Sequence, residues 1–327
     1  MLRAIVGASA AAVLAAAAAG LGGCAAQQSG SSPSATDAAA GAFAIDADFP
    51  DPDVVAAGHG YLAFATNSFG VNVQVASSRD LHTWTVERRD ALPKLPAWAS
   101  PGRTWAPDVS TIDGRAVMYF AAEHTDSGRQ CIGVATASTL DGTFAAASGD
   151  PLVCPLEAGG AIDPSTFVDR DGTRYLLYKT DGNCCGMDTW IEIAPLSRDG
   201  LALAGGPHRL IRQTEAWEGN LVEAPTLLLR GGTYTLLYSA NDYASASYAV
   251  GAATSASLLG PYTKQKAPVL STAQSGGRWD GPGGQDVVVT PHGDVLVFHS
   301  WDENHIYRGM NVAPLQFASD GVHVVVP

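Results

Sequence analysis

Five stretches divide the chain into units of 55 to 61 residues: Pro50-Asp51-Pro52-Asp53-Val54, Trp105-Ala106-Pro107-Asp108-Val109, Ile162-Asp163-Pro164-Ser165-Thr166, Glu223-Ala224-Pro225-Thr226-Leu227 and Asp280-Gly281-Pro282-Gly283-Gly284. Each leads into an apolar run, a Gly-containing turn and a second apolar or aromatic run. After Pro164, Phe167-Val168 is followed by Asp171-Gly172 and Tyr175-Leu176-Leu177-Tyr178; after Pro225, Leu227-Leu228-Leu229 is followed by Gly231-Gly232 and Tyr234-Thr235-Leu236-Leu237-Tyr238. This is the signature of a β-hairpin, because glycine supplies the positive φ that tight hairpin turns require. A third run follows in each unit, such as Cys131-Ile132-Gly133-Val134-Ala135 or Tyr248-Ala249-Val250-Gly251-Ala252, and then a short outer piece such as Trp84-Thr85-Val86. Four short antiparallel strands per unit, repeated over a long period with helical periodicity nearly absent, predict an all-β five-bladed β-propeller. The five units fill residues 42–327 as one domain, with residues 43–48 either adding to the last blade or lying outside it.

The first residues read as a targeting segment. Arg3 supplies the positive start, Ala4 to Ala19 is an Ala-rich apolar stretch of signal-peptide length, and Leu21-Gly22-Gly23-Cys24 has the form of a lipobox. Residues 1–23 are therefore expected to be a lipoprotein signal peptide, with Cys24 acylated; the alternative is an ordinary signal peptide with a chance cysteine. Either places the protein outside the cell, secreted or held at the outer face of the membrane by acyl chains that do not span it. Residues 24–41 are small and polar, the composition of a flexible tether. The formal net charge of -13 argues against nucleic acid as a partner, since a nucleic-acid binder presents a basic face. Four further cysteines are available for disulfides in an oxidising compartment. Cys131 and Cys154 lie in one repeat and are expected to pair; Cys184 and Cys185 either form a vicinal disulfide or stay reduced. Neither His nor Cys shows zinc-ligand spacing.

In a propeller the first strand of each blade lines the central channel. Asp51, Asp163 and Glu223, each one or two residues before a repeat proline, should then gather at one mouth of it, from blades one, three and four. A single Asp-Pro is ordinarily a turn residue. Several carboxylates in one cleft cost energy unless they serve something, and shared clefts suit general acid and base work because neighbouring environments push the proton affinities apart. A calcium site built from oxygen ligands is the rival reading.

The order and spacing of Pro-Asp-Pro-Asp, Trp-Ala-Pro-Asp, Ile-Asp-Pro-Ser, Val-Glu-Ala-Pro and Gly-Pro-Gly-Gly resembles glycoside hydrolase family 43, over essentially the whole chain after the tether. The resemblance implies a five-bladed propeller that hydrolyses arabinofuranosidic or xylosidic linkages with inversion. It implies Asp51 as the general base that activates water, Glu223 as the general acid and Asp163 as the group that holds and tunes the acid; Asp280 has no such role and is expected at the rim or in a turn. The substrate class that follows is an arabinose- or xylose-containing polysaccharide or oligosaccharide, most simply an α-L-arabinofuranoside. A β-xylosidase, an endo-arabinanase and a catalytically silent glycan-binding propeller are the alternatives. A sucrose- or fructan-active propeller is disfavoured, because such proteins open on Asn-Asp-Pro and carry the acid in Glu-Cys.

Around the cleft, Trp105 shares the register of Glu223 and is expected to stack on a sugar or to serve the core. Phe69, Trp98 and Trp301 either wall the subsites or pack blades together. Lys179 and Asn183 stand where a loop reaches the cleft, as donors to sugar hydroxyls or parts of a solvated turn. Arg308 would meet a substrate hydroxyl or an acid. Many relatives carry a histidine in the fifth stretch that helps hold a calcium; Gly284 and Gln285 stand there instead, so no cofactor is expected and Gln285 is placed with the substrate contacts. His299 is expected as a core or rim histidine.

Overall fold

The computed structural model describes residues 43–58 and 60–326; the expected signal peptide, Cys24 and the whole tether lie outside the described residues. Twenty strands form five four-stranded antiparallel sheets, each following chain order outward from the axis. Blade one holds β1 (Asp53–Ala57), β2 (Gly60–Ala65), β3 (Gln74–Ser78) and β4 (Trp84–Val86). Blade two holds β5 (Ala99–Ile112), β6 (Arg115–His124), β7 (Arg129–Ala137) and β8 (Ala145–Ala146). Blade three holds β9 (Ala161–Val168), β10 (Arg174–Thr180), β11 (Trp190–Pro195) and β12 (His208–Arg212). Blade four holds β13 (Val222–Arg230), β14 (Thr233–Ala240), β15 (Ala249–Ser255) and β16 (Thr263–Lys264). Blade five holds β17 (Asp280–Thr290), β18 (Gly293–Trp301), β19 (Arg308–Ala318) and β20 (Gly321–Val324). The described part is thus the five-bladed propeller that the repeat predicts.

The apolar residues divide into five buried clusters, one between each pair of adjacent blades. Phe64 of blade one packs with Phe120 and Phe144 of blade two; Tyr119 and Val117 pack with Leu176 and Tyr178 of blade three; Leu177 and Ile191 pack with Leu236 and Tyr238 of blade four. Leu237 and Val250 then meet Phe298 and Leu296 of blade five, and Val297 and Met310 return to Val54 and Ala63 of blade one. The residues before the first stretch close this last interface. Ala44 N–H donates to Met310 O and Met310 N–H to Ile45 O, so residues 43–48 add to blade five. Trp98, stacked on Phe120 at 6.2 Å, belongs to the core of blade two rather than to a cleft wall. Cys131 is bonded to Cys154, tying β7 to the segment that leads into blade three, and Cys184 is bonded to Cys185.

The inner strands of blades two to five bulge at this level, and in blade one the repeat stretch lies just before β1. In blade four Glu223 lies opposite Ser239 and Thr226 opposite Leu237, so Ala224 and Pro225 together face Tyr238. The residue before the repeat proline sits at positive φ in every case: Asp51 at 53°, Ala106 at 42°, Asp163 at 54° and Ala224 at 48°. This conformation costs an L-residue about 1–2 kcal/mol, and it turns the side chain at that point toward the axis. Blade five corrects the sequence alignment. Gly281, before Pro282, is at φ 54°, but the bulge that lines the channel with the other four stretches lies between Gly283, opposite His299, and Asp286, opposite Val297, with Gly284 at 57°. The structural counterpart of the repeat proline is therefore Gln285, not Pro282. Asp280 lies three residues outside the register of Glu223, at a separate irregularity of the same strand.

A second set of acids, unassigned from sequence, closes the channel one residue after the proline position. Asp53 accepts Val109 N–H of blade two at 3.0 Å, Asp108 accepts Thr166 N–H of blade three at 2.9 Å, and Asp286 accepts Val54 N–H of blade one at 3.0 Å. Each carboxylate thus latches its blade to the next. Burial raises all three; the charges of Asp108 and Asp286 add to it at Asp53, and Asp108 is pushed up to about 7 by burial and Asp286. A carboxyl raised by folding holds a proton that the unfolded chain releases. Its stabilising effect is full below about pH 4 and is lost as pH rises toward 7. Asp108→Asn removes that titration and keeps an acceptor for Thr166. It is expected to raise the unfolding temperature at pH 8 by about 3 °C or more while changing it little at pH 4.5; a loss at pH 8 in calorimetry would refute the account.

Candidate active site

The mouth is built on the bulges. Asp51 is held from three sides. Its Oδ2 accepts the Thr66 hydroxyl at 2.6 Å, its Oδ1 lies 3.3 Å from His299 Nδ1, and the Arg308 guanidinium is 3.9 Å from Oδ1. Burial works to raise this carboxyl, but the Arg308 guanidinium, with the hydrogen bond from Thr66, holds it well below the usual carboxylate range. The Asp51 N–H donates to His299 Nδ1 at 3.1 Å. That bond leaves Nδ1 without a proton, so the proton of the neutral imidazole is assigned to Nε2. Burial, with Arg308, lowers His299 and keeps it uncharged.

Glu223 is buried on the wall formed by blades three and four. Tyr248 O–H donates to its Oε1 at 2.7 Å and Lys179 Nζ to its Oε2 at 3.1 Å. Asp163 accepts the N–H of Ala224, next to Glu223, at 2.9 Å, so the two carboxyl-bearing residues are coupled through one peptide unit. Burial first, and then the charge of Glu223, raise Asp163 well above the ordinary carboxylate range. Asp163 therefore holds on to a proton that Asp51 has given up. The two walls are joined behind the cleft: the Tyr248 ring stacks on His299 at 5.9 Å and 9°. Two glycines make this possible. A Cβ on Gly283 would fall 2.1 Å from the Tyr248 ring, and one on Gly284 would fall 2.5 Å from His299 and 2.6 Å from Asp51 Oδ1.

The rim residues sort as follows. Arg308 lies over the rings of Tyr243 at 5.0 Å and Trp301 at 5.8 Å, which places Trp301 beside the base. Trp301 donates its indole N–H to Tyr243 O and stacks on His305, whose Nε2 is 2.6 Å from Asp280. Asp280 is thus a rim residue with a partner, as its place outside the bulge requires. Phe69 projects from the β2–β3 loop, 77 % exposed, and Trp105 is partly buried at the position that Glu223 holds in blade four. Asn183 is exposed in the β10–β11 loop. Two residues expected to meet the sugar are occupied elsewhere. Lys179 is 1 % exposed and turned onto Glu223 and Asp181. Gln285 is 5 % exposed, with its amide N–H on Ala224 O and its Oε1 accepting Ser239 O–H. Tyr248, Thr66 and the role of His299 were not legible as site features; the only signal was that each lies near a strand end at the mouth.

At the axis Asp53, Asp108 and Asp286 line a small space, and Asp108 Oδ1 is buried there without a hydrogen-bond partner. One oxygen each of Asp53, Asp108 and Asp286 is committed to a backbone N–H, Gly284 stands where a histidine ligand is expected, and among the described residues no three His, Cys, Asp or Glu side chains come together to hold a metal ion. The channel there has about 40 Å³ of water-sized space.

An ionised carboxylate on one wall, a buried carboxylate beside a proton-holding Asp163 on the other and an aromatic rim form the equipment of a glycosidase that works by acid and base catalysis. Comparison with known proteins agrees. The sequence profile of glycosyl hydrolases family 43 matches residues 44–323, and the chain belongs to that family. It is a glycoside hydrolase, of a family that acts with inversion. It is 26 % identical over 274 residues to the extracellular endo-alpha-(1->5)-L-arabinanase 1 of Bacillus subtilis, covering 78 % of this chain and 80 % of that protein. It is 29 % identical over 225 residues to the extracellular exo-alpha-(1->5)-L-arabinofuranosidase of Streptomyces avermitilis, covering 64 % of this chain but 44 % of that longer protein. The crystal structure of a thermostable family-43 glycoside hydrolase superposes with a TM-score of 0.76 at 28 % identity, covering 86 % of this chain and 93 % of the other.

Proposed function

We propose that the chain is an α-L-arabinofuranosidase acting on plant pentosans with inversion, with Asp51 as general base, Glu223 as general acid and Asp163 as the residue that sets the acid's proton. The observation that carries this reading is the opposite electrostatics of the two walls. Arg308 keeps Asp51 an anion, able to take a proton from water. Burial beside Glu223 makes Asp163 retain one, next to the carboxyl that is to protonate the leaving oxygen. In the reaction, Asp51 removes a proton from water as its oxygen attacks the anomeric carbon; the glycosidic C–O bond breaks and the leaving oxygen takes the proton from Glu223. Trp105, Trp301, Phe69 and Arg308 are the candidates to hold the sugar.

The preference for arabinose rests on relatives named for arabinanase and arabinofuranosidase activity, among them the alpha-L-arabinofuranosidase 43 of Humicola insolens, 28 % identical over 257 residues. Digestion of arabinan, arabinoxylan and xylan, followed by anomer-resolved NMR, tests it. Arabinose should appear first as the β-anomer. Retention of configuration, or release of xylose alone, overturns the proposal; release of arabino-oligosaccharides would reassign the chain as an endo-arabinanase. Extracellular location belongs to the same reading, since two of these relatives are named extracellular. If Cys24 carries the anchor, Cys24→Ser should move activity from membranes to medium.

A further inference from the structure

A general acid must keep its proton until the leaving oxygen needs it. Glu223 nevertheless touches a cation, with Lys179 Nζ 3.1 Å from Oε2 in a position that is 1 % exposed. An unopposed ammonium at that distance in a buried site strips a neighbouring carboxyl of its proton by one to three pH units. The structure supplies the opposition. Asp181 Oδ1 lies 3.0 Å from the same Nζ. Asp181 is also fixed in place: its N–H donates to Gly160 O at 2.9 Å and its carbonyl accepts Cys184 N–H at 3.2 Å, which pins the turn that begins the β10–β11 loop.

We infer that Asp181 is a positioning residue for the general acid: by neutralising Lys179 it lets the ammonium orient Glu223 through a hydrogen bond without drawing the proton off the Asp163/Glu223 pair. This rests on the roles proposed above. Lys179 is charged in this setting. Burial disfavours the ammonium, but Glu223, Asp181 and Asp163 outweigh it. The other groups facing the pair are Tyr248 from the start of blade four's third strand, and Asp51, His299 and Arg308 across the mouth. Tyr248 donates a neutral hydrogen bond, and Asp51 is matched by Arg308. Among the described residues Lys179 is thus the one cation bonded to the acid, and Asp181 is a second carboxylate on the same ammonium.

The test is a ¹³C-carboxyl NMR titration of the pair, its signals identified by their loss in Asp163→Asn and Glu223→Gln. In Asp181→Asn the unopposed Lys179 should make the pair lose its proton about one pH unit or more lower than in the native enzyme. In Lys179→Met the loss should move upward, and in the double variant it should return close to the native value. The alkaline limb of kcat/KM on an aryl arabinofuranoside should move in the same directions. A merely structural Asp181 would lower activity at all pH values without moving the titration. An unmoved or upward titration in Asp181→Asn, or a double variant that stays with Asp181→Asn, overturns the inference. The titration needs no turnover: if the native enzyme released neither arabinose nor xylose while the shifts appeared, the proposed activity would fall and the inference would stand.

Discussion

Glu223→Gln should lower kcat/KM on an arabinofuranoside with a poor leaving group by about 10³-fold, and Asp51→Asn should do the same, within the 10²–10⁴ range of positioned acid and base groups. The two differ in how the loss depends on the leaving group. A dinitrophenolate departs without a proton, so Glu223→Gln should recover most of its rate on the dinitrophenyl glycoside. Asp51→Asn should not, because water still has to be deprotonated. Both variants must keep a cooperative unfolding transition for the comparison to count. Near-native hydrolysis of a poor-leaving-group substrate by either would remove the assignment. Equal losses on both substrates for Glu223→Gln would remove its role as acid while leaving it in the site.

Gly284→Ala is expected to be nearly as damaging, from a residue that bears no chemistry. The added Cβ would fall 2.5 Å from His299 and 2.6 Å from Asp51 Oδ1, on backbone already at φ 57°. The left-handed conformation and the overpacking each cost about 1–3 kcal/mol, so the unfolding temperature should fall by about 5 °C or more. Moving the base by even a fraction of an ångström should lower kcat by about 10²-fold. Gly276→Ala is the control. It too lies at positive φ, 67°, but its Cβ would meet nothing within 4 Å. It should show part of the stability loss and none of the loss in kcat. Equal kcat in the two variants would mean that the space left by Gly284 does not matter to the base.

The propeller was legible because its signals are local. Hairpin turns such as Asp171-Gly172 and Gly231-Gly232 separate runs of strand length, and the unit repeats five times along the chain. Asp51, Asp163 and Glu223 were legible as candidates for the same reason: strand order in a blade tells which residues reach the axis. Blade five was misread by three residues. Pro282 looks like the repeat proline, yet the bulge is made by Gly284, where glycine takes the positive φ that Asp or Ala adopts in the other blades.

What the amino-acid sequence determined by itself was the ring, the number of its blades and the carboxylates at its mouth, since these follow from period and from residue type at each strand start. Only the tertiary structure decided how those carboxylates behave. Lys179 reads as a solvated turn residue, but it lies behind Glu223 because β10 pairs beside β9 and ends against blade four. His299 and Tyr248 stand 51 residues apart in the chain and stack only because two glycines of a third strand leave them room. Proton affinity in this site is set by charges and burial brought together from four blades, and no local stretch of sequence carries that information.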